Sequence, residues 1–522
     1  MGSPDVTVVV AVYNTMPYLT KCLRSLAEQT IGPDRLEVIA VDDGSTDGSG
    51  AELARFAERY PDVFTVLSQP NSGGPAAPSN RALDVASGRY VLFIGADDYL
   101  GPEALERWVA AADRTGADVV LGKVVGVNGR YIDQAVFARS TDDLDLFDSP
   151  LPWSLANTKL FRRDLIEARK LRYPIDMKML SDQPFTLEAL LYANRIAVVA
   201  DYDCYYAVRR LDRGNITYQP RAMDALLSCT EKLLDAVCGM VDPGPRRDAI
   251  LRRHFAWEVT KLLRKDFLAA DPATQELVHA GVKRMAEKYL SDGIRQRLFV
   301  PERARIGYAQ VADTEQLVAL LKEQDGSEDP AVVVEGEQRF VAYPGFRDPQ
   351  WSMPDSWFAM TPQMAADWVA RLDTTALRWG RGTAGQRVLR VEATSQHAPE
   401  LASYDSASWR LTAGEVSAGD VRVTQEGEVT RVRADFTLAE LLSGPARLGA
   451  VRPVASAVAV GDRVGNANLR APRNLAVTRR ICRLGRRIFV VTLTANHHGR
   501  LVVAVTPVTL RRVVRRLRPP TS

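Results

Sequence analysis

Short apolar runs alternate with amphipathic stretches through the first part of the chain, from Val6 to about Tyr90. Thr7 to Val12 and Leu36 to Val41 are near-continuous apolar runs, as expected for strands covered on both faces of a sheet. Between them, leucines recur at helical spacing with polar residues interposed. This alternation predicts an α/β domain with a mostly parallel sheet, whose ligands bind at the carboxyl ends of the strands.

The pattern changes twice further along the chain. From Ala222 to about Gln324, apolar residues recur at helical spacing, which predicts a helical region. Beyond Pro330, short β-branched runs such as Val388 to Val391 alternate with Gly, Pro, Ser and Asn turns, which predicts an immunoglobulin-like β-sandwich region of one or two modules. The predicted domains are an α/β domain over residues 1–221, a helical linker over 222–329 and a β-rich C-terminal region over 330–522.

Composition narrows the class of protein. A chain of 522 residues is too long for one core, which agrees with several domains. Lysine plus arginine (67) nearly balance aspartate plus glutamate (64), which excludes a uniformly basic coat for nucleic acid. Five cysteines without metal spacing fit a reducing cytosol rather than a disulfide framework. No uncharged apolar run is long enough to span a membrane, so we expect a cytoplasmic protein.

Charge is strongly biased only near the C-terminus. From Arg463 to Ser522 there are 14 arginines and no acidic residue. The segment Arg511 to Arg518 alternates charged pairs with apolar residues. It predicts an electrostatic dock for a polyanionic polymer, or for anionic lipid at the inner face of the plasma membrane. Nucleic acid is an unlikely partner because no reading module accompanies the arginines.

Polar clusters follow three predicted strands: Tyr13-Asn14, then Asp42-Asp43-Gly44-Ser45-Thr46-Asp47, and Gly95-Ala96-Asp97-Asp98. Tyr13 offers a stacking face and Asp43 an edge acceptor for a planar base. Asp97 and Asp98 offer the oxygen ligands with which a divalent cation holds a diphosphate. No phosphate-binding glycine motif is present. The clusters together predict a nucleotide-diphosphate site, although each alone also fits a capped turn that opens a helix.

In their order along the chain, these segments resemble the GT-A, family 2 glycosyltransferases. The matching elements are Val8 to Asn14, Val41 to Asp47, the loop Asn71-Ser72-Gly73-Gly74 leading to Asn80, and Asp97-Asp98. The resemblance implies a Rossmann-like GT-A catalytic domain and a UDP-sugar donor. The residues that it implies for donor binding are Ala11, Tyr13, Asp43, Asn71, Arg81 and Asp97, with Asp97 or Asp98 as the ligand of Mn²⁺ or Mg²⁺.

Inverting displacement requires one carboxylate to take the proton of the acceptor hydroxyl, and all five histidines lie outside the predicted catalytic part. Leu180 to Phe185 resembles the acidic motif of the family, which implies that Asp182 is the catalytic base. A helix cap before Pro184 is the alternative role for this aspartate. Arg210 and Arg213 lie in a segment similar to the family's lid, which implies a clamp on the leaving diphosphate; exposed surface arginines are the alternative.

The layout of the three regions resembles the poly(ribitol phosphate) glycosyltransferases that decorate wall teichoic acid, and Leu298 to Ile306 is similar to the end of their linker. This resemblance implies UDP-N-acetylglucosamine as donor, a polyol-phosphate polymer as acceptor, and a C-terminal region that trimerises or holds polymer. A family 2 transferase for capsule, another glycan or a small aglycone is an open alternative. Gly95 and Ser181 replace acids that are common in the family, so a degenerate, non-catalytic glycan binder also stays open.

Two further sets of residues fit either binding or packing. For Trp153 and Asn157, the alternatives are a place at the border of the acceptor cleft and packing in the core. For the aromatic residues between Phe340 and Phe358, the alternatives are stacking on sugar rings and packing in a β core.

Overall fold

A computed structural model describes residues 3–212, 214–215, 222–327, 330–395, 409–427, 429–443, 450–460, 462–472, 474–496 and 499–508. The chain divides into two compact units. The first holds Met1–Ala331 and Ala342–Phe358, and the second holds Val332–Val341 and Ala359–Ser522. An α/β domain, a helical linker and antiparallel C-terminal sheets follow one another, which confirms the predicted fold class.

One eight-stranded sheet forms the centre of the α/β domain. Its strands are β1 (Val6–Val12), β2 (Leu36–Asp42), β3 (Phe64–Ser68), β4 (Tyr90–Gly95), β5 (Tyr99–Leu100), β6 (Val119–Val127), β7 (Lys159–Arg162) and β8 (Ile196–Val208). The strand order is β3-β2-β1-β4-β7-β6-β8-β5. All of β1 except Ala11 is buried, as its apolar run predicts.

The sheet is mostly parallel, as predicted, and two short strands, β5 and β7, run against the others. Strands β3, β2, β1 and β4 are parallel neighbours, and so are β6 and β8. However, β7 pairs antiparallel with both β4 and β6, and β5 pairs antiparallel with β8. The chain reaches β7 from β6 through a long loop with short 3₁₀ turns, not through the helical crossover that a parallel pair requires.

In the described part of this domain, the helices are α1 (Leu19–Ala27), α2 (Ser49–Arg59), α3 (Ala76–Leu83), α4 (Ala104–Thr115), α5 (Arg163–Arg169) and α6 (Asp182–Tyr192). Helix α1 buries Leu19, Leu23 and Leu26, the leucines whose helical spacing predicts it. Helix α6 packs on the sheet through Phe185, whose ring centroid lies 5.4 Å from that of Phe93 in β4. The first turn of α6 is therefore held close to the strand that leads into Asp97 and Asp98.

The linker consists of α7 (Met223–Met240), α8 (Pro245–His254), a π-helical turn (Phe255–Val259), α9 (Lys265–Leu268), α10 (Pro272–Tyr289), α11 (Asp292–Arg297), α12 (Val300–Val311) and α13 (Thr314–Gly326). Asp271 caps α10, and Asp313 forms a reciprocal capping box with Gln316 at the start of α13. One hydrophobic core runs through the linker and the α/β domain. The aromatic segment 342–358 packs against that core, where Phe358 is fully buried.

The second unit is antiparallel. It contains β9 (Val332–Glu335), β10 (Gln338–Val341), α14 (Pro362–Val369), β11 (Asp373–Arg381), β12 (Arg387–Ser395), β13 (Trp409–Ala413), β14 (Val416–Ser417), β15 (Asp420–Glu426), β16 (Val429–Thr437), α15 (Leu438–Ser443), β17 (Ala450–Val460), β18 (Arg463–Asn468), β19 (Thr478–Leu484), β20 (Arg487–Ala495) and β21 (Leu501–Pro507). The larger sheets have the orders β11-β12-β16-β15 and β14-β13-β17-β21-β20-β19, and β18 also pairs with β17. One hydrophobic cluster joins them. Among the described residues, no helix has the length and apolarity that a membrane span requires.

Candidate active site

The carboxyl ends of four parallel strands bring the predicted clusters side by side. In the strand register, Val12 of β1 lies opposite Asp42 of β2, and Asp42 lies opposite Ser68 of β3. On its other side, Ala11 of β1 lies opposite Gly95 of β4. The segments that follow these strands therefore share one edge of the sheet, where ligands of α/β proteins bind.

Asp43 is at the back of this edge and is 3% exposed. Its carboxylate accepts hydrogen bonds from Gln69 Nε2 at 2.7 Å and from Ser72 Oγ at 2.9 Å. Gly44 has a φ of +78°, and a Cβ there would lie 2.8 Å from the backbone nitrogen of Asn71. The glycine is thus required where the loop that starts at Asn71 crosses the end of β2.

The other donor-site candidates lie around this rim. Tyr13 is 49% exposed, so its ring is open to a ligand. Asn71 is exposed, and its Oδ1 accepts from the backbone N–H of Gly73 at 2.6 Å. Arg81 extends from α3, and its Nη1 donates to the carbonyl of Ser68 at the end of β3, at 2.6 Å. Both side chains are therefore at the sheet edge that carries Asp43.

Asp97 and Asp98 differ in their surroundings. Asp98 is 6% exposed, and its oxygens accept from the hydroxyl of Tyr205 and from the backbone N–H of Val208, both at 2.7 Å. Asp97 is partly exposed, and its Oδ2 accepts from Asn215 Nδ2 at 2.6 Å. The carboxylate of Asp98 is thus held by hydrogen bonds from β8, whereas that of Asp97 is more accessible.

Burial is the main influence on both carboxyl groups. It raises the pKa of Asp98 above the ordinary range, and the charge of Asp97 adds to this, while Arg130 opposes it. Burial also raises the pKa of Asp97, against Arg130 and Arg210. Two neighbouring carboxylates in a buried place favour a counter-charge such as a cation.

Gly95 stands where the family commonly has an acid, and the geometry shows what a side chain meets there. A Cβ built on Gly95 lies 2.9 Å from Asp98 Oδ2 and 3.2 Å from Asp97 Oδ1. The first distance is too short for a relaxed contact. In this chain, the absence of a side chain at position 95 leaves space for the two carboxylates.

The segment after β8 folds over the sheet edge. Arg210 Nη1 donates to the carbonyl of Asn14 at 3.3 Å, and the guanidinium also pairs with Asp212. Asn215 joins this segment to Asp97, and its Oδ1 accepts from the backbone N–H of Arg210 at 2.7 Å. Arg210 therefore lies between the ends of β1 and β4, and its role as a clamp stays a prediction. Arg213 lies outside the described residues.

Asp182 is the first residue of α6, preceded by Leu180 in a left-handed conformation with a φ of +62°. Such backbone strain in a residue other than glycine concentrates at functional sites. Burial raises the pKa of the Asp182 carboxyl, and the positive charges of Arg253 and Lys159 only partly offset it. A carboxylate with a raised pKa is suited to accept a proton.

Lys159, whose charge acts on this carboxylate, is 1% exposed. Its ammonium donates to the carbonyls of Ser154 and Ala156 at 2.7 and 2.6 Å, and burial lowers its pKa to about 7 although Asp182 opposes the change. The amide of Asn157 donates to the hydroxyl of Tyr173 at 2.9 Å. Asn157 therefore connects the segment before β7 to Tyr173 by a side-chain hydrogen bond.

Sequence reasoning missed several partners of these residues. Gln69, Tyr205, Asn215 and Lys159 each hold a predicted site residue or lie beside it. Tyr205 and Asn215 lie in or next to the lid-like segments that the family resemblance marks, but nothing in the sequence indicates which acid each one contacts. The sequence carries no such signal for Lys159, because this residue opens a four-residue strand that has only two apolar residues.

Comparisons with known proteins agree with this geometry. Residues 7–144 match the family "Glycosyl transferase family 2", and residues 226–321 match "Glycosyl transferase TarS linker domain". A poly(ribitol-phosphate) beta-glucosyltransferase of Bacillus spizizenii is 36% identical over 261 residues, which are 49% of this chain and 41% of that protein. TarS of Staphylococcus aureus, a poly(ribitol-phosphate) beta-N-acetylglucosaminyltransferase, is 39% identical over 207 residues, which are 39% of this chain and 35% of TarS.

The matched segments thus span less than half the length of these relatives. Among solved structures, S. aureus TarS superimposes with a TM-score of 0.59 at 21% identity, over 97% of this chain and 86% of that one, which shows a shared fold. TarS 1–349 in complex with UDP-GlcNAc superimposes with a TM-score of 0.57 at 26% identity, over 65% of this chain and 97% of that one.

Proposed function

We propose that this protein transfers a sugar from a UDP-sugar to poly(ribitol phosphate) with inversion. The proposal concerns a chain that joins a family 2 glycosyl transferase domain to a TarS linker domain. The observation that carries the proposal is the shared sheet edge, where Tyr13, Asp43 and Asp97 lie at neighbouring strand ends. The UDP-GlcNAc complex of TarS 1–349 supports N-acetylglucosamine as the sugar. Asp182 is the base that takes the proton of the acceptor hydroxyl.

We assign Asp97, not Asp98, as the protein ligand of the divalent cation. Both oxygens of Asp98 accept hydrogen bonds from β8, whereas Asp97 is the more exposed carboxylate. The described residues contain no group of three or more His, Cys, Asp or Glu placed to hold a metal. A hard cation such as Mg²⁺ or Mn²⁺ fits one carboxylate if the diphosphate and water supply the other oxygens, and when bound it neutralises the departing UDP.

An open groove fits the acceptor. It has a volume of about 660 Å³ and lies between the loop after β6 and the linker. Phe147, Trp153 and Phe299 give it aromatic walls, and the guanidinium of Arg252 lies 5.6 Å from the Trp153 ring. Arginine suits a phosphodiester and aromatic rings suit the carbon face of a polyol, so these residues match both parts of poly(ribitol phosphate). Asp133 and Asp148 also line the groove, and their carboxylates disfavour phosphate on that side.

The C-terminal region supports a polyanionic acceptor independently. On β19, an edge strand, Arg479 and Arg483 are exposed on either side of Ile481, which is 76% exposed. Arg486 and Arg487 extend the charge around the turn into β20. This basic hairpin can hold a phosphodiester chain by charge complementarity. The arginine-rich segment 511–518 lies outside the described residues.

The decisive experiment supplies UDP-N-acetylglucosamine, Mn²⁺ and poly(ribitol phosphate) and detects the mass increment on the polymer. We expect transfer by the wild type, none by Asp182→Asn, and wild-type UDP affinity in that variant by calorimetry. Asp235→Asn, which removes an exposed carboxylate of the linker paired with Lys288, is the matched control and should keep full activity. Loss of UDP affinity in Asp182→Asn would contradict its role as the base.

The same assay separates the alternatives. Transfer to a small aglycone or to another glycan, with none to poly(ribitol phosphate), would place the chain elsewhere in family 2. Absence of transfer together with metal-independent binding of glycan would identify a non-catalytic binder. For the groove, Arg252→Gln should raise the KM for polymer several-fold without changing that for the donor. Arg284→Gln, which removes an exposed ion pair with Glu231, is its control.

A further inference from the structure

A buried polar cluster joins the linker to the residue that follows Asp182. The side-chain oxygen of Gln183 accepts from Arg253 Nη1, and its Nε2 donates to Glu258 Oε1 at 3.2 Å. Arg253 Nη1 also donates to Glu258 Oε1 at 2.8 Å. Gln183, Arg253 and Glu258 are at most 7% exposed. One amide at the start of α6 is thus held by a complete ion pair of the linker.

The backbone of the linker is shaped to make this contact. Arg253 lies in the last turn of α8, and Glu258 lies in the π-helical turn Phe255–Val259. In a regular α-helix, residues five apart are rotated by about 140° from each other. A π-helical turn, with its i to i+5 hydrogen bonds, brings such residues onto one face, and these turns are frequent at functional sites. The irregular turn therefore makes the pair possible.

His254 is the fourth member of the cluster and lies beside Glu258. Its Nδ1 lies 3.2 Å from Glu258 Oε2, and the ring is fully buried. The same Nδ1 lies 3.0 Å from Arg253 Nη1, so the ring contacts both members of the ion pair. Burial lowers the pKa of His254, so the ring is neutral. Its Nε2 has no hydrogen-bond partner among the described residues. The histidine thus packs against the ion pair without adding charge.

The charges of the cluster reach Asp182. Although burial opposes ionisation of Glu258, Arg253, His254 and Gln183 lower its pKa to about 2, so the glutamate stays charged. Arg253 lowers and Glu258 raises the pKa of Asp182. In the α/β domain, the charge of Lys159 of β7 also lowers the pKa of Asp182, and Asp182 in turn raises that of Tyr173. Asp182 is therefore surrounded by opposing charges from two domains.

We propose that Arg253 and Glu258 are positioning residues, by which the linker orients Asp182 through Gln183 and sets the balance of charge at its carboxylate. A buried ion pair contributes little net stability, because desolvation offsets most of the attraction. Its geometric specificity instead serves a site that must hold one carboxylate in one orientation. This inference rests on the proposed function, in which Asp182 is the base.

The test compares the pH dependence of kcat in the full-length protein. Arg253→Gln removes the positive charge, so the pKa of Asp182 rises and the acid limb moves to higher pH, by roughly half a unit or more. Glu258→Gln removes the negative charge, so the limb moves to lower pH. Arg253→Lys keeps the charge and should restore the limb while kcat stays below the wild-type value. Arg284→Gln is the control and should leave the profile unchanged.

Opposite shifts distinguish tuning of Asp182 from a general loss of structure, which lowers activity at every pH. If the acid limb of the pH profile does not move, or moves in the same direction in both Gln variants, the inference is overturned. Transfer of sugar by the wild type supports the proposed function in either case. If the wild type transfers no sugar, the proposed function fails. The inference is then tested by NMR titration of ¹³C-carboxyl aspartate, with Asp182→Asn identifying the resonance, and the same opposite shifts are expected.

Discussion

Asp98→Ala separates a structural carboxylate from a ligand-binding one. The substitution leaves the backbone N–H of Val208 and the hydroxyl of Tyr205 without their acceptor in a buried place. Each unpaired buried donor costs about 1–3 kcal/mol. Removal of a carboxylate that is itself costly to bury offsets part of this. We expect a local loss of roughly 2–4 kcal/mol.

Hydrogen exchange with peptide resolution is the appropriate assay, because it reports local stability in a protein of several domains. In Asp98→Ala, the peptide that contains the end of β8 should exchange about 30-fold faster or more, since 1.4 kcal/mol corresponds to a factor of about ten. The control is Asp97→Ala. Its partner Asn215 also donates to the carbonyl of Val208 at 3.0 Å, and Asp97 is partly exposed, so exchange should change little.

Calorimetry with UDP and Mn²⁺ should give the complementary result. Asp97→Ala should lose the increase in affinity that the metal confers, while its hydrogen exchange stays close to that of the wild type. Equal protection of β8 in both variants would refute the structural role of Asp98. Retention of metal-dependent affinity in Asp97→Ala would refute the assignment of the ligand.

Three further predictions concern other parts of the chain. Because burial raises the pKa of Asp182 and the base must be ionised, kcat should fall with decreasing pH through a value above the ordinary aspartate range, as a pH profile will show. Gly95→Ala should lower UDP affinity at least several-fold, since its Cβ would lie 2.9 Å from a carboxylate oxygen, whereas Gly239→Ala, with nothing within 4 Å, should keep full affinity. Arg479→Glu combined with Arg483→Glu should weaken cosedimentation with poly(ribitol phosphate) several-fold at low salt but leave hydrolysis of the donor unchanged.

The sequence predicts those site residues that come directly after an apolar strand. Asp43 and Asp97 each follow an apolar strand, and the carboxyl ends of parallel neighbours meet at one edge of a sheet. The contacts that hold these acids depend on distant segments: Tyr205 lies 107 residues from Asp98, and Asn215 lies 118 residues from Asp97. No local spacing encodes such pairs.

The same limit applies to the base and to the topology. The motif around Asp182 points to a carboxylate at a helix start, but the charges that act on it come from Lys159 of β7 and from Arg253 and Glu258 of the linker. Likewise, β7 has only two apolar residues among four, so no periodicity marks this strand or its antiparallel pairing with β4 and β6. Side-chain networks and strand direction are therefore set by tertiary packing, which periodicity does not describe.

The pair of acids should also show a conflict between stability and function. The pKa of Asp97 is raised in the folded protein, so ionisation of this residue destabilises the fold as pH rises above the ordinary aspartate value. Asp97→Asn removes that charge and can retain the hydrogen bond from Asn215. In the presence of a chelator, the variant should therefore melt at a higher temperature than the wild type at pH 8, and the difference should shrink toward pH 4. A gain that does not depend on pH would show that charge repulsion is not its cause. If Asp97→Asn is more stable but has lost metal-dependent UDP affinity, the carboxylate of Asp97 is retained for binding at a cost to the stability of the fold. A purely structural turn or a non-catalytic binder does not require such a cost.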